Sequence, residues 1–204
     1  MATITILMGD EGSGKTLYAV ILAYKYKKEG YKIISNMQSL KFKDYDLTQL
    51  NEIIEAHNIL DKIEDNSITI GKKHNSNAIT QQEYDKILEL TSYKYVALID
   101  EIYRYLDSRL AMSTENREGT YTLLQLRKWK IKLIGTTQDY FALDIRLRNV
   151  VSVVFKPAYI PAKKVMVVEI ANKLLEVINV RVFSVNTGVY KLYNHRERIK
   201  GSHL

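Results

Sequence analysis

The chain has 204 residues, 46% of them hydrophobic and 26% charged, which suits one compact domain with a sizeable core and excludes a disordered chain. With no cysteine, it excludes disulfides, thiolate zinc sites, iron–sulfur clusters and cysteine nucleophiles. Thirty basic against 23 acidic residues leave a formal charge of +7, which fits either attraction to a polyanion such as nucleic acid or a solvated lysine-rich surface.

Residues 3–8 read as a buried strand that ends at Gly9. This opening stretch has no basic flank or cleavage site, so it is not a secretory signal. Lys15 to Lys28 is apolar nearly all round, the mark of a buried helix, and Gly30 stops it. Tyr31–Asn36 reads as a second strand. Leu47 to Glu64 has helical spacing, Gly71–Asn77 is a polar loop, and a short helix is expected over Gln81–Leu90. Tyr95–Ile99 is a continuous apolar run bounded by charge, as in a parallel strand covered on both faces. A charged segment to Glu118 leads to a helix over Tyr121–Trp129 and a strand over Ile131–Thr137.

Further strands are expected at Val150–Phe155, Val165–Ile170, Val177–Val185 and Val189–Tyr193, with Asn186-Thr187-Gly188 as a hairpin turn. The longest of these apolar runs fall far below the ~18 residues of a membrane helix, so a soluble protein without a transmembrane segment is expected. Strand–helix alternation up to residue 137 predicts an α/β fold with a mostly parallel central sheet flanked by helices and a strand-rich C-terminal part. No linker interrupts it. The reading is one domain over residues 1–204, with a core at about 3–156 and an extension at about 157–204.

The chemistry is concentrated at Gly9-Asp10-Glu11-Gly12-Ser13-Gly14-Lys15-Thr16, a full G-x-x-x-x-G-K-[ST] phosphate loop between a strand and a helix, with Leu17 beside it. Glycines let backbone N–H groups converge on phosphate oxygens, and the helix N-terminus faces the same anion. Lys15 would bridge the β- and γ-phosphates of ATP, and the Thr16 hydroxyl would ligate Mg²⁺. The strand before Asp100-Glu101 gives a Walker B pattern, with Asp100 on Mg²⁺ and Glu101 polarising the attacking water. Thr136-Thr137-Gln138 ends another strand at the carboxyl edge of the sheet, where Gln138 would sense the γ-phosphate or orient water. Arg127 ends the preceding helix, and on its position alone it reads as a C-terminal charge satisfying carbonyls.

Together, the phosphate loop, Ile99-Asp100-Glu101, Arg127-Lys128 and Thr137-Gln138 resemble the FtsK–HerA superfamily of DNA-pumping P-loop ATPases over roughly residues 3–156. The resemblance implies that Gln138 contacts the γ-phosphate and that Arg127 reaches a neighbouring subunit's nucleotide. Arg148 is the second candidate for that role, and Arg104, Arg109, Arg117 and Arg146 follow. Lys130 stands where the superfamily usually has glycine. A phosphate-loop core with little else is similar to the genome-packaging ATPases of membrane-containing icosahedral viruses. That likeness implies a homo-oligomeric ring acting on double-stranded DNA, capsid vertex proteins as partners, and a location in host cytoplasm and virion.

Two basic patches suit a sequence-independent grip on phosphates: Arg127, Lys128, Lys130 and Lys132 around Trp129, and a C-terminal set from Arg181 to Lys200. Gly71–Asn77 and Asn116–Gly119 are candidate DNA-contacting loops. As surface lysines on strand edges, the same residues would instead oppose aggregation. Two other functions fit a phosphate loop at this length. A nucleoside or nucleotide kinase would phosphorylate a second substrate, although an Asp-Glu pair suits water activation better. An export or assembly ATPase of the filamentous-virus kind normally carries a membrane segment.

Overall fold

The computed structural model describes residues 3–71, 78–106, 121–122 and 125–194. The N-terminal run forms strand β1 (Ile4–Met8), and the phosphate loop leads from it into helix α1 (Lys15–Lys28). Leu17, Tyr18, Ala19, Val20 and Ala23 of α1 are buried against the sheet. Lys25, Lys27 and Lys28 in its last turn complement the negative end of the helix dipole. Strands β2 (Lys32–Ser35) and β3 (Tyr45–Asp46) follow. A 3-10 turn, Leu47–Gln49, then leads into helix α2 (Leu50–Glu64).

Two short strands, β4 (Thr69–Ile70) and β5 (Ala78–Ile79), pair beside helix α3 (Gln81–Ser92). A capping box formed by Thr80 and Glu83 starts α3, supplying acceptors to backbone donors that the helix cannot pair itself. Strand β6 (Tyr95–Ile99) is buried at every residue. Residues 121–122 and 125–128 are helical ahead of strand β7 (Lys132–Thr137). Helix α4 (Ile145–Val150) and strands β8 (Val153–Ile160), β9 (Val165–Ala171) and β10 (Val177–Ser184) complete the larger elements.

One eight-stranded sheet runs β10-β9-β8-β1-β7-β6-β2-β3. From β8 to β3 every pairing is parallel, while β9 and β10 extend the sheet as antiparallel strands. Strand β7 lies between β1 and β6, pairing Met8 with Thr137 and Ile99 with Gly135. The loops after β1, β6 and β7 therefore emerge together at the carboxyl edge of the sheet, where ligands of open α/β sheets bind. This is the α/β phosphate-loop architecture expected from the alternation of elements.

Three local expectations need correction. Val150–Phe155 is not one strand. Asp144 caps α4 by accepting from the Arg146 N–H at 2.8 Å, and Leu143, Leu147 and Val151 are buried at helical spacing, so Val150 ends a helix. Strand β8 instead runs on to Ile160 through Pro157, which lies past Phe155, the last residue that β8 pairs with β1. Val189–Tyr193 is not a strand either. Thr187–Lys191 forms a 3-10 helix, and Asn186 caps it by accepting from the Gly188 N–H at 2.8 Å instead of making a hairpin turn.

Candidate functional site: the nucleotide cleft

The phosphate loop uses each of its glycines for a backbone shape that side-chain-bearing residues resist. Gly9, Gly12 and Gly14 have φ of 144°, 78° and 93°. At Gly14 space is excluded as well, since a Cβ there would lie 2.8 Å from Cβ of Tyr159. The Ser13 N–H donates to the Asp10 carbonyl at 3.2 Å, and Lys15 Nζ donates to the same carbonyl at 2.7 Å. Burial pulls the Lys15 pKa below its ordinary value, with Asp100 opposing the shift. The loop is thus curled, with its lysine ammonium folded back onto the Asp10 carbonyl.

From the end of the loop, three side chains of three elements form one hydrogen-bonded chain. The Thr16 hydroxyl donates to Asp100, 3.0 Å from Oδ1, and the Thr136 hydroxyl donates to the same Oδ1 at 2.5 Å. Thr136 Oγ1 also accepts from the Glu101 N–H at 2.8 Å. Asn36, just past β2, clasps the backbone of Asp100, accepting from its N–H at 2.9 Å and donating to its carbonyl at 2.7 Å. Glu101 takes the left-handed conformation, with φ of 53°, so the chain turns sharply between the two acids. Its carboxylate pairs with Arg104, at 2.5 Å between Oε2 and Nε.

A cavity of about 540 Å³ joins these parts. Glu11, Gly12, Gly14, Lys15, Thr16 and Leu17 line it, while Gly9, Asp10 and Ser13 shape the loop behind. Asp100, Glu101, Thr136, Thr137 and the exposed Gln138 form the side toward β6 and β7. Asp100 and the Thr16 hydroxyl are a hard-oxygen pair of the sort that holds Mg²⁺ together with phosphate oxygens. Among the described residues there is no cluster of three or more His, Cys, Asp or Glu that would make a metal cage.

Of the candidate arginines among the described residues, Arg104 reaches the cleft through its pairing with Glu101, and Arg127, Arg146 and Arg148 do not line it. Arg127 is exposed on the helical segment before β7 and does not line the cavity of its own chain. Arg148 donates to the Leu143 carbonyl at 3.0 Å and sits over the Phe141 ring, while Arg146 grips Asp144. Arg109, Arg117 and the loop Asn116–Gly119 lie outside the described residues, as do residues 72–77 and the C-terminal basic residues from Arg196 onward. In the basic patch near Trp129, Lys128 pairs with Asp61 at 3.1 Å and Lys132 lies over Tyr26 and Tyr31, while Arg127 and Lys130 are exposed.

Lys130 takes a conformation that glycine favours. It adopts φ of 58°, in the left-handed region, and the Ile131 N–H donates back to the Leu126 carbonyl at 2.9 Å. The helix before β7 thus ends with the turn that a glycine would give.

Several residues of the site were given no role by the sequence. Asn36 and Thr136 act through backbone and hydroxyl contacts, and Met37, Tyr103, Tyr159, Tyr190, Tyr193 and Asn194 line the cavity from distant parts of the chain. Of these, Thr136 alone carried a signal, as part of the polar strand end Thr136-Thr137-Gln138.

The family model described as zonular occludens toxin (Zot) matches residues 3–196. Among solved structures, the N-terminal domain of zonular occludens toxin from Neisseria meningitidis is 19% identical, with a TM-score of 0.57 over 95% of this chain and 100% of that chain. The genome packaging NTPase B204 from Sulfolobus turreted icosahedral virus 2, in complex with sulfate, is 14% identical, with a TM-score of 0.50 over 91% of this chain and 98% of that one. At such identities the likeness shows the fold, that of a P-loop NTPase. No curated protein matches the sequence.

Proposed function

The chain belongs to the zonular occludens toxin (Zot) family, and we propose that it is an ATP-hydrolysing motor whose active form is a homo-oligomeric ring. The observation that carries this reading is the hydrogen-bonded run Thr16–Asp100–Thr136–Glu101, which ties the phosphate loop to the two acids after β6 within one cavity. Lys15 and the loop N–H groups bind the phosphates of ATP. Thr16 and Asp100 would hold Mg²⁺, which when bound neutralises charge on the β- and γ-phosphate oxygens. Glu101, beside the metal-binding acid but not engaged by Thr16, polarises the attacking water. Gln138 at the end of β7 reads the γ-phosphate. Arg127, exposed and away from its own cleft, supplies charge to a neighbour's.

The polymer moved is double-stranded DNA in the leading reading, with packaging into a preformed capsid, contacts to capsid vertex proteins, and residence in host cytoplasm and virion. The net charge of +7 and a fold shared with a genome packaging NTPase support it. The second reading is an export or assembly ATPase. The Neisseria structure is the N-terminal domain of its protein, so the lack of a membrane-crossing helix among the residues described here does not count against a membrane-linked role.

Hydrolysis with and without double-stranded DNA separates the two. Stimulation by DNA, together with partial rescue on mixing Glu101→Gln with Arg127→Ala protein, is the expected result. Rescue arises only at interfaces that pair an intact Glu101 with an intact Arg127. DNA-indifferent hydrolysis would transfer support to the export reading, and transfer of phosphate to a nucleoside would overturn both.

A further inference from the structure

Two of the tyrosines that line the cleft, Tyr159 and Tyr190, are not used in binding phosphate or activating water. Tyr159 lies near the end of β8, on the opposite side of β1 from β7 and β6. Its N–H donates to the Ser13 carbonyl at 2.9 Å, and its Cβ fills the space that a side chain on Gly14 would need. The tyrosine is therefore fixed directly to the phosphate loop.

Tyr190 comes from the 3-10 turn Thr187–Lys191, which is held in place from both ends. The Val185 N–H donates to the Lys164 carbonyl at 2.7 Å before it. After it, the Leu192 carbonyl accepts from the Lys41 N–H at 2.9 Å, and the Asn194 N–H donates to Ser39 Oγ at 2.9 Å. The Tyr159 and Tyr190 rings stand 6.3 Å apart at 57°, and both are half-buried against the cavity. A tilted ring pair whose backbones are anchored on both sides makes a fixed corner, and an aromatic corner beside an anion-binding loop suits a ligand with a phosphate tail and a flat, weakly polar head.

We propose that Tyr159 and Tyr190 form the nucleobase subsite of this cleft, Tyr190 offering a ring face to the base and Tyr159 fixing that ring relative to the phosphate loop. The inference rests on the reading of the cleft as a nucleoside triphosphate site. The sheet order gives its direction. With the γ-phosphate at Asp100, Glu101 and Gln138 on the β6–β7 side, the nucleoside end extends past Gly14 toward β8. Stacking on an aromatic face is a sizeable and sequence-tolerant source of base affinity. The C-terminal part of the chain thereby becomes part of the binding site and not an appendage to it.

Binding of ATP and of inorganic tripolyphosphate, each measured by calorimetry on the full chain, tests the proposal. Tyr190→Ala and Tyr190→Leu are expected to weaken ATP binding about 10- to 100-fold while tripolyphosphate binding stays within about twofold. Tyr190→Phe, which keeps the ring and loses the hydroxyl, is expected to retain most of the ATP affinity. The leucine variant guards against collapse of the wall, because it fills space without a π face. Equal losses for ATP and tripolyphosphate, or no loss for either, would overturn the subsite. Failure of the wild-type chain to bind tripolyphosphate would instead strike at the phosphate-loop reading beneath it.

Discussion

Thr136 serves two residues with one hydroxyl, donating to Asp100 and accepting from the N–H of Glu101. A valine there has the same shape but neither function, so Glu101 keeps a backbone donor without its acceptor. The cost of such an orphaned buried group is ~1–3 kcal/mol. Thr136→Val is expected to lower unfolding stability by that amount in urea and to reduce kcat, while Thr136→Ser keeps both near wild type. Lys15 illustrates a different cost at the same site. Its pKa is lowered by burial, so the unfolded chain holds that proton more tightly than the folded one does. The penalty is present in full below the folded pKa and fades as pH climbs toward the ordinary lysine value of 10.5. Thermal melts of Lys15→Met should therefore show a higher Tm than wild type at neutral pH, with the gap narrowing in alkaline buffer, although phosphate binding is lost.

At the scale of elements, the helix before β7 ends on a lysine where a left-handed turn is needed. That conformation costs a side chain with a Cβ about 1 kcal/mol. Lys130→Gly is expected to stabilise the protein by about 0.5–1 kcal/mol in denaturant titration, a gain reduced by glycine's greater unfolded-state freedom. The elements that sequence made legible are those whose signal is local: the all-apolar β6, the apolar α1, and the phosphate loop with its glycines. Where neighbours decided, the pattern misled. Val150 closes a helix because Asp144 caps it six residues earlier, and Pro157 is admitted to a strand because β1 no longer pairs there. Asn186-Thr187-Gly188 has hairpin chemistry, yet its asparagine serves equally well as a cap.

For the whole molecule, the decisive feature is the order of strands. Placing β7 between β1 and β6 brings residues 16, 100 and 136 into one hydrogen-bonded run across the carboxyl edge. No spacing in the sequence encodes that meeting, which is why the phosphate loop and Asp100-Glu101 could be read and their link through Thr136 could not. The same holds for Asn36 and for Tyr159 and Tyr190, which reach the cleft through pairing and anchoring set far along the chain. The sheet also continues into β9 and β10, and the edge strand β10 exposes Ile178, Val180 and Val182.

The function proposed for the cleft turns on Glu101 activating water to hydrolyse a nucleotide held by the phosphate loop. Steady-state ATP hydrolysis by wild type and Glu101→Gln, with ATP binding measured on both, tests this without relying on DNA or on ring assembly. Glu101→Gln is expected to bind ATP like wild type and to hydrolyse it about 10²- to 10⁴-fold more slowly. Equal rates in the two proteins would contradict that role for Glu101.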